Sequence, residues 1–385
     1  ARVRGDSATD GRPGSPAGRP RRMARHSGTV TAAQDSGQTA PDTPPRTGPD
    51  DIPVAPVEPR HRTLPGPAVV ITALAWAVAA VLALLAVGRL VHLDDALDWP
   101  YSAINALTPL LYLPAYVTLA VSFARRRNLL LILSGALIVI HLFWSLPEVL
   151  PGSAENAAPG SARLRVMSAN LYYDNAHADR LGAQVRAANP DVLVLLELSP
   201  LTLARVNASG ALSSFRYHEV RSRDGAFGAA IYSRLPLRDA SAPMVGGSMS
   251  LRATVEVDEH RRFVMYAVHT ISPTTGTYTG RWRTQLSALR QQARTATLPV
   301  VMAGDFNATR DHRPLRRLID SGVRDAHDVV GAGWDPTWSA RAVLVPPVLR
   351  LDHVLASPAF AVTGFSVGRD FGSDHLPVIA DLAMR

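Results

Sequence analysis

Apolar residues follow two regimes along the chain. Between positions 64 and 150 they form long runs without charge; from position 162 they form short runs that end on polar side chains. The first long run, residues 68–88 (AVVITALAWAVAAVLALLAVG), holds 21 residues. At ~1.5 Å per helical residue it spans about 30 Å, the thickness of a bilayer core. That length predicts a membrane helix over a buried soluble one. Its distance from the N-terminus, and the apolar runs behind it, argue against a cleaved signal peptide. Residues 103–124 form a second run with Pro109 and Pro114, which membrane helices tolerate. Residues 129–146 form a third, in which His141 stands close to Trp144, Pro147 and Glu148, as expected near an interface. Three spans are expected within a membrane region covering 64–150.

Arginine placement orients these spans. Arg60 and Arg62 precede the first, and Arg125, Arg126 and Arg127 separate the second from the third. The loop between the first and second holds Arg89 but also Asp94, Asp95 and Asp98. The N-terminus and the Arg125–Arg127 loop are therefore expected in the cytoplasm. An odd number of spans then puts everything after them outside the plasma membrane. Residues 151–161, rich in Gly, Pro, Ser and Ala, read as a linker.

From residue 162 to 385 strand-like and helix-like patterns alternate. RLRVMSAN (163–170), DVLVLLE (191–197), FGAAIYSR (227–234), LRATVEV (251–257), RFVMYAVHT (262–270), PVVMAGDFN (299–307), LDHVLAS (351–357) and HLPVIADLA (375–383) predict strands. Leu181 with Val185, and Leu286 with Leu289, predict helices over 177–190 and 281–296. The mixture predicts a layered α/β or α+β domain large enough for its own core.

Composition sharpens this in three places. The 385 residues include no cysteine, which excludes disulfide scaffolds, thiolate metal sites and a cysteine nucleophile. Residues 1–63, dominated by Pro, Gly, Ser, Thr and Arg, lack hydrophobic periodicity and predict a disordered tail. Met23 is the first methionine and a candidate natural start. The net charge of +8 is carried by arginine alone, and its scatter implies solvated surface more than a polyanion-binding face.

The chemistry-bearing pattern is an apolar strand ending in an acid, amide or histidine. Asn170, Glu197, His269, Asp305 with Asn307, Asp352 with His353, and Asp374 with His375 all stand at such positions. Carboxylate and amide oxygens without thiolates suit Mg²⁺, Mn²⁺ or Ca²⁺. Histidines beside such a cation suit proton transfer or oxyanion stabilisation. Each element alone is a common cap, edge charge or loop pair. GDFN is stronger, because Asp305 and Asn307 fall on the same side of an extended segment.

The ordered set SAN (168–170), LLE (195–197), HTISP (269–273), GDFNAT (304–309), RLDHVLAS (350–357) and GSDHLPV (372–378) resembles the endonuclease/exonuclease/phosphatase superfamily. The membrane-anchored layout looks like a branch linked to teicoplanin resistance. The resemblance implies a DNase I-like α/β four-layer sandwich. It also implies that Glu197, with Asn170 beside it and Asp374 contributing, binds a divalent metal. His269 would hydrogen-bond the scissile phosphate, Asp305 would activate water, and Asn307 would hold the phosphate. His375 would serve as general base or electrostatic partner, with Asp352 orienting it. Arg350 and His353 are expected to be structural or packing residues. Many members carry Gln where this chain has Leu196.

The expected function is a membrane-anchored, divalent-metal-dependent phosphoesterase acting on a phosphate or pyrophosphate ester outside the cytoplasm. A short tether to the bilayer favours a lipid-linked substrate by raising its effective concentration. The alternatives are an extracytoplasmic endonuclease or exonuclease acting on DNA or RNA, and a catalytically dead binding module. No feature points to a protein partner.

Overall fold

The computed structural model describes residues 65–150, 152–331, 333–341 and 346–385. The tail expected over 1–63, Arg60, Arg62 and Met23 lie outside the described residues.

Five helices come first: α1 (Pro67–Leu90), α2 (Trp99–Ala106), α3 (Thr108–Leu111), α4 (Pro114–Ala124) and α5 (Asn128–Val149). Among the described residues, only α1 and α5 are individually long and apolar enough to cross a membrane. The span expected over 103–124 is not one straight helix. Its two halves, Trp99–Ala106 and Thr108–Ala124, meet at 73°. Proline explains the breaks, because each of α2, α3 and α4 carries one in its first turn. A proline there costs no helical hydrogen bond but clashes with a preceding turn, so each ring starts a helix and ends its predecessor.

The helices pack through a seam of alanines and larger apolar residues. Ala75, Ala79, Leu82 and Ala86 of α1 are buried against Tyr112, Ala115, Leu130 and Leu137. The outward faces are apolar, with Leu84 and Phe143 at least 72% exposed. Alanines at the contact let the helix backbones approach closely. Two polar pairs lie inside: Thr118 Oγ1 lies 2.8 Å from Ser134 Oγ, and His141 Nε2 lies 3.0 Å from the Pro109 carbonyl. His141 is thus buried at the bend of the bundle. The Arg125–Arg127 turn lies beside the start of α1, at the end of the bundle away from Arg89 and Glu148.

The remainder comprises β1 (Ala162–Asn170), α6 (Leu181–Ala188), β2 (Val192–Leu196), α7 (Pro200–Ala208), β3 (Tyr217–Arg221), β4 (Ala229–Ser233), β5 (Leu237–Ser241), β6 (Met244–Val245), β7 (Ser248–Met249), β8 (Leu251–Glu256), β9 (Arg262–His269), α8 (Gly276–Thr295), β10 (Val300–Asp305), α9 (Arg313–Ile319), β11 (Arg324–Asp325), α10 (Ala326–Val330), β12 (Asp352–Ala356), β13 (Phe360–Val367) and β14 (Val378–Met384). One mixed sheet runs β13-β14-β1-β2-β4-β3 and the other β11-β12-β10-β9-β8-β5.

Period-2 alternation builds four layers from these strands. Val192, Val194 and Leu196 face the other sheet, where Val301, Ala303 and Val354 meet them. Leu193 and Leu195 face outward onto Leu181 and Val185 of α6 and Val206 of α7. Met302 and Val300 face outward onto Trp282, Leu286 and Leu289 of α8 and Leu315 and Leu318 of α9. The order is helices, sheet, sheet, helices. A strand buried on both faces reads as an unbroken apolar run, hence VLVLL.

Bundle and sandwich share buried polar contacts. Arg89 at the end of α1 lies 2.7 Å from Asp311. The Arg313 N–H donates to Asp94 at 2.8 Å, and Arg350 meets Glu148 of α5 at 3.1 Å. The stretch expected as a linker is itself docked. The Glu155 N–H donates to the Val362 carbonyl at 2.8 Å, and its carboxylate meets Arg324 at 2.6 Å.

Candidate active site

Strand register assembles the polar centre. Parallel β9 and β10 set His269 beside Asp305, and antiparallel β12 sets Asp352 on its other side. Period 2 then sends His353 to the opposite face of β12, where its Nδ1 lies 2.7 Å from Asp325 and its Nε2 lies 2.9 Å from the Ala308 carbonyl. In the other sheet, parallel β1 and β2 end together at Asn170 and Leu196, so Glu197 leaves β2 beside Asn170. Asp374 and His375 arrive on the segment entering β14. Ser373 ties that segment to β1 by donating to the Asn170 carbonyl at 2.7 Å.

Two tight backbone features support this. Gly304 has φ +147, and a Cβ there would stand 1.9 Å from the Val268 carbonyl oxygen. β9 and β10 can approach this closely only with glycine at that point. Glu197 has φ 50 and Asn307 φ 46, left-handed conformations that cost energy in residues with a Cβ and concentrate at functional sites.

The eight candidate side chains converge. Asn170 Nδ2 donates to Glu197 at 3.1 Å and to Asp305 at 3.2 Å. His269 Nε2 lies 3.7 Å from Glu197 and 3.8 Å from Asp305. The Asn307 amide donates to the Thr270 carbonyl at 2.8 Å and to Asp305 at 3.2 Å. His375 Nε2 lies 3.6 Å from Asp305, while its Nδ1 lies 2.8 Å from Asp352. Trp338 Nε1 donates to Asp374 at 3.4 Å.

Burial and neighbouring charge push these groups apart. Burial raises the Asp305 carboxyl to about 6 against the opposing pull of His375. Burial also raises Glu197, with the Asn170 amide and the Tyr173 N–H working the other way. His269 is lowered by burial. For His375 burial favours the neutral ring, but Asp352 and Asp305 outweigh it and push the imidazole up to about 10. An acid near neutrality beside a histidine held charged is the separation that assigns acid and base roles.

The donor set fits a hard divalent cation. Four carboxylates share the centre, and Asp352 Oδ1 and Asp374 Oδ1 are buried without a hydrogen-bond partner. Ligand atoms of Asp305, Asp352 and His375 lie within 4.8 Å of one another. Glu197 and Asp374 line the same pocket. Asn170 turns its amide nitrogen, not its oxygen, toward Glu197 and Asp305; the oxygen accepts from the Tyr172 N–H at 3.0 Å.

Three further contributors join the site, and of these the Thr337–Trp338 pair resembles a turn common in the family. Thr337 Oγ1 accepts from the Leu351 and Asp352 N–H groups at 3.1 and 3.3 Å and fixes Asp352 from behind. Trp338 Nε1 holds Asp374 from the same turn. The third is α2, whose Trp99, Ala103 and Ala106 line the same ≈ 480 Å³ pocket as His269, Asp305 and His375. Arg350, expected to be structural, is buried between Asp325, Asp328 and Glu148.

The sequence profile of the Endonuclease/Exonuclease/phosphatase family matches residues 167–375, more than half of the chain. The chain belongs to that family. Among solved structures, it is similar to an endonuclease/exonuclease/phosphatase from Beutenbergia cavernae at 23% identity, covering 58% of this chain and 72% of that one, with a TM-score of 0.46. An endonuclease/exonuclease/phosphatase from Bacteroides vulgatus is 16% identical over 58% of this chain and 100% of its own, with a TM-score of 0.49. A 3′ phosphatase from Neisseria, solved with a product DNA hairpin, is 20% identical over 56% of this chain and 98% of its own, with a TM-score of 0.45. No curated protein matches the chain. As a family member the chain is an enzyme acting on phosphoric esters.

Proposed function

We propose that the chain is a membrane-anchored phosphoesterase that uses Mg²⁺ or Mn²⁺, with Ca²⁺ as a further candidate, to hydrolyse a lipid-linked phosphate or pyrophosphate ester outside the cytoplasm. The observation that carries this reading is the meeting of Asn170, Glu197, His269, Asp305, Asn307, Asp352, Asp374 and His375 around one pocket that also touches the membrane-side helix α2.

In this reading Glu197 and Asp374 hold the cation, with Asn170 beside them. When bound, the cation supplies neutralisation of phosphate charge. Asp305, raised toward neutrality, accepts a proton from the attacking water. His375, held charged by Asp352, presents Nε2 to a phosphate oxygen. His269 and Asn307 hold the phosphate from the other side.

Anchoring is supported by the two long apolar helices and the outward apolar faces of the bundle. The proposed orientation rests on the Arg125–Arg127 turn, at the end of the bundle away from the contacts Arg89 and Glu148 make with the sandwich. The purified full chain in detergent, screened with Mg²⁺ against lipid phosphates, prenyl pyrophosphates, sphingomyelin, inositol phosphates, DNA and RNA, tests the substrate. Turnover of a lipid phosphate above that of DNA is expected. Efficient DNA cleavage without turnover of any lipid phosphate would contradict the lipid assignment.

A further inference from the structure

Helix α2 is divided between two surroundings. Trp99, Ser102, Ala103 and Ala106 recur at helical spacing and face the catalytic pocket. Ile104 falls on another side of the helix by the same spacing and is 37% exposed. The short helix is pinned from beneath. The Asn105 amide donates to the Asp311 carbonyl at 2.8 Å, and His312 Nε2 lies 3.0 Å from the Ser102 carbonyl. Its neighbours across the pocket include Ile271, Leu349 and Phe227, the last 49% exposed at the rim, as is Trp99 at 46%.

The pocket therefore has a charged floor and an apolar wall. The part of that wall contributed by α2 beyond Trp99 is made of small side chains, Ser102, Ala103 and Ala106. The same helix is the first half of the bent helix pair that together is long and apolar enough to cross a membrane. A wall of this kind is wasted on a wholly polar ester. It suits a phosphate ester whose hydrocarbon chain leaves the catalytic floor along α2 toward the bilayer.

We infer that α2 is the chain-length selector of the site, with Ala103 and Ala106 forming the channel for the hydrocarbon chain of a membrane-held phosphate ester and Trp99 closing its mouth. This deepens, and rests on, the phosphoesterase reading above. Burying additional methylenes against Ala103, Ala106 and Trp99 adds binding in proportion to apolar area, so preference grows with chain length. The membrane segment then contributes to the active site as well as anchoring it.

The full chain in detergent with Mg²⁺ is assayed on two chromogenic diesters, methyl p-nitrophenyl phosphate and hexadecyl p-nitrophenyl phosphate. In each, water oxygen bonds to phosphorus and p-nitrophenolate leaves, so the two differ only in the alkyl chain. The unaltered protein is expected to prefer the hexadecyl ester in kcat/KM by about tenfold or more. Ala103→Trp is expected to reduce that ratio toward one by blocking the channel, and Ala103→Ser to retain it. Trp99→Ala, at an exposed position where folding is not at stake, is expected to reduce the ratio partially. Equal rates on both esters in the unaltered protein, or an unchanged ratio in both Ala103→Trp and Trp99→Ala, would overturn the inference while leaving the phosphoesterase reading standing. Failure to cleave either ester would overturn both.

Discussion

His375 Nδ1 lies 2.8 Å from Oδ2 of Asp352, the residue that antiparallel pairing sets directly across from Asp305. One sheet register therefore places the carboxylate that holds the imidazole and the carboxylate that faces its other nitrogen. Asp305→Ala and His375→Ala are each expected to lower turnover by roughly two orders of magnitude or more, the scale of losing a proton-transfer or charge-stabilising group. Glu197→Gln is expected mainly to raise the metal concentration needed for half-maximal rate. Steady-state kinetics across a metal titration separate the two effects. Near-normal turnover in His375→Ala would contradict the assigned roles.

Arg350 joins the sandwich to α5 from a buried position, contacting Asp325, Asp328 and Glu148. Removing one member of such a cluster leaves uncompensated buried charge. Arg350→Met is expected to destabilise the protein by about 3–5 kcal/mol, read from the unfolding midpoint in detergent. An unchanged midpoint would contradict the account of this cluster.

Gly304→Ala places a methyl group against the Val268 carbonyl and forces β9 away from β10. The variant is expected to lose both thermal stability and activity, because His269 and Asp305 sit at the ends of those two strands. Circular dichroism melting and hydrolysis assays on one preparation check this.

The Glu155 carboxyl is held below its ordinary value of 4.5 chiefly by the Arg324 guanidinium. A depressed carboxylate contributes stability that is complete above 4.5 and fades as pH falls through the lower folded value. The melting difference between the unaltered protein and Glu155→Gln is expected to be largest near neutrality and to shrink on acidification. A difference that grows with acid would reverse the sign and contradict the pairing.

The strand-end acids, amides and histidines were legible because catalytic residues on rigid strands keep a fixed offset from apolar runs such as VLVLL and VVMAGD. The layered order came through resemblance rather than periodicity. Edge strands were not legible. β3 (YHEVR) is mostly exposed and carries no alternation, and β13 follows Ser357-Pro358 without a charged boundary. The bend at Leu107 was hidden for a different reason. Hydropathy registers the apolar content of 103–124 but not the direction in which its prolines turn it. What Trp338 and α2 do depends on contacts with residues far away in sequence, such as Asp374 and Asp311.

Sidedness has a direct test. A reporter fused after Arg385 is expected to be active only if it functions outside the cytoplasm, and one inserted in the Arg125–Arg127 turn only if it functions inside. Cytoplasmic activity of the C-terminal fusion would contradict the proposed topology.

The central claim is that the carboxylate-rich pocket is a working metal-dependent hydrolytic site. Turnover of a simple phosphodiester by the purified full chain, followed as Mg²⁺ or Mn²⁺ is added to protein stripped with EDTA, tests it most directly. No turnover in EDTA, recovery with added metal, and loss of that recovery in Asp305→Ala are expected. Binding of the ester without turnover at any metal concentration would contradict it, and would mark the chain as a binding module built on a hydrolase fold.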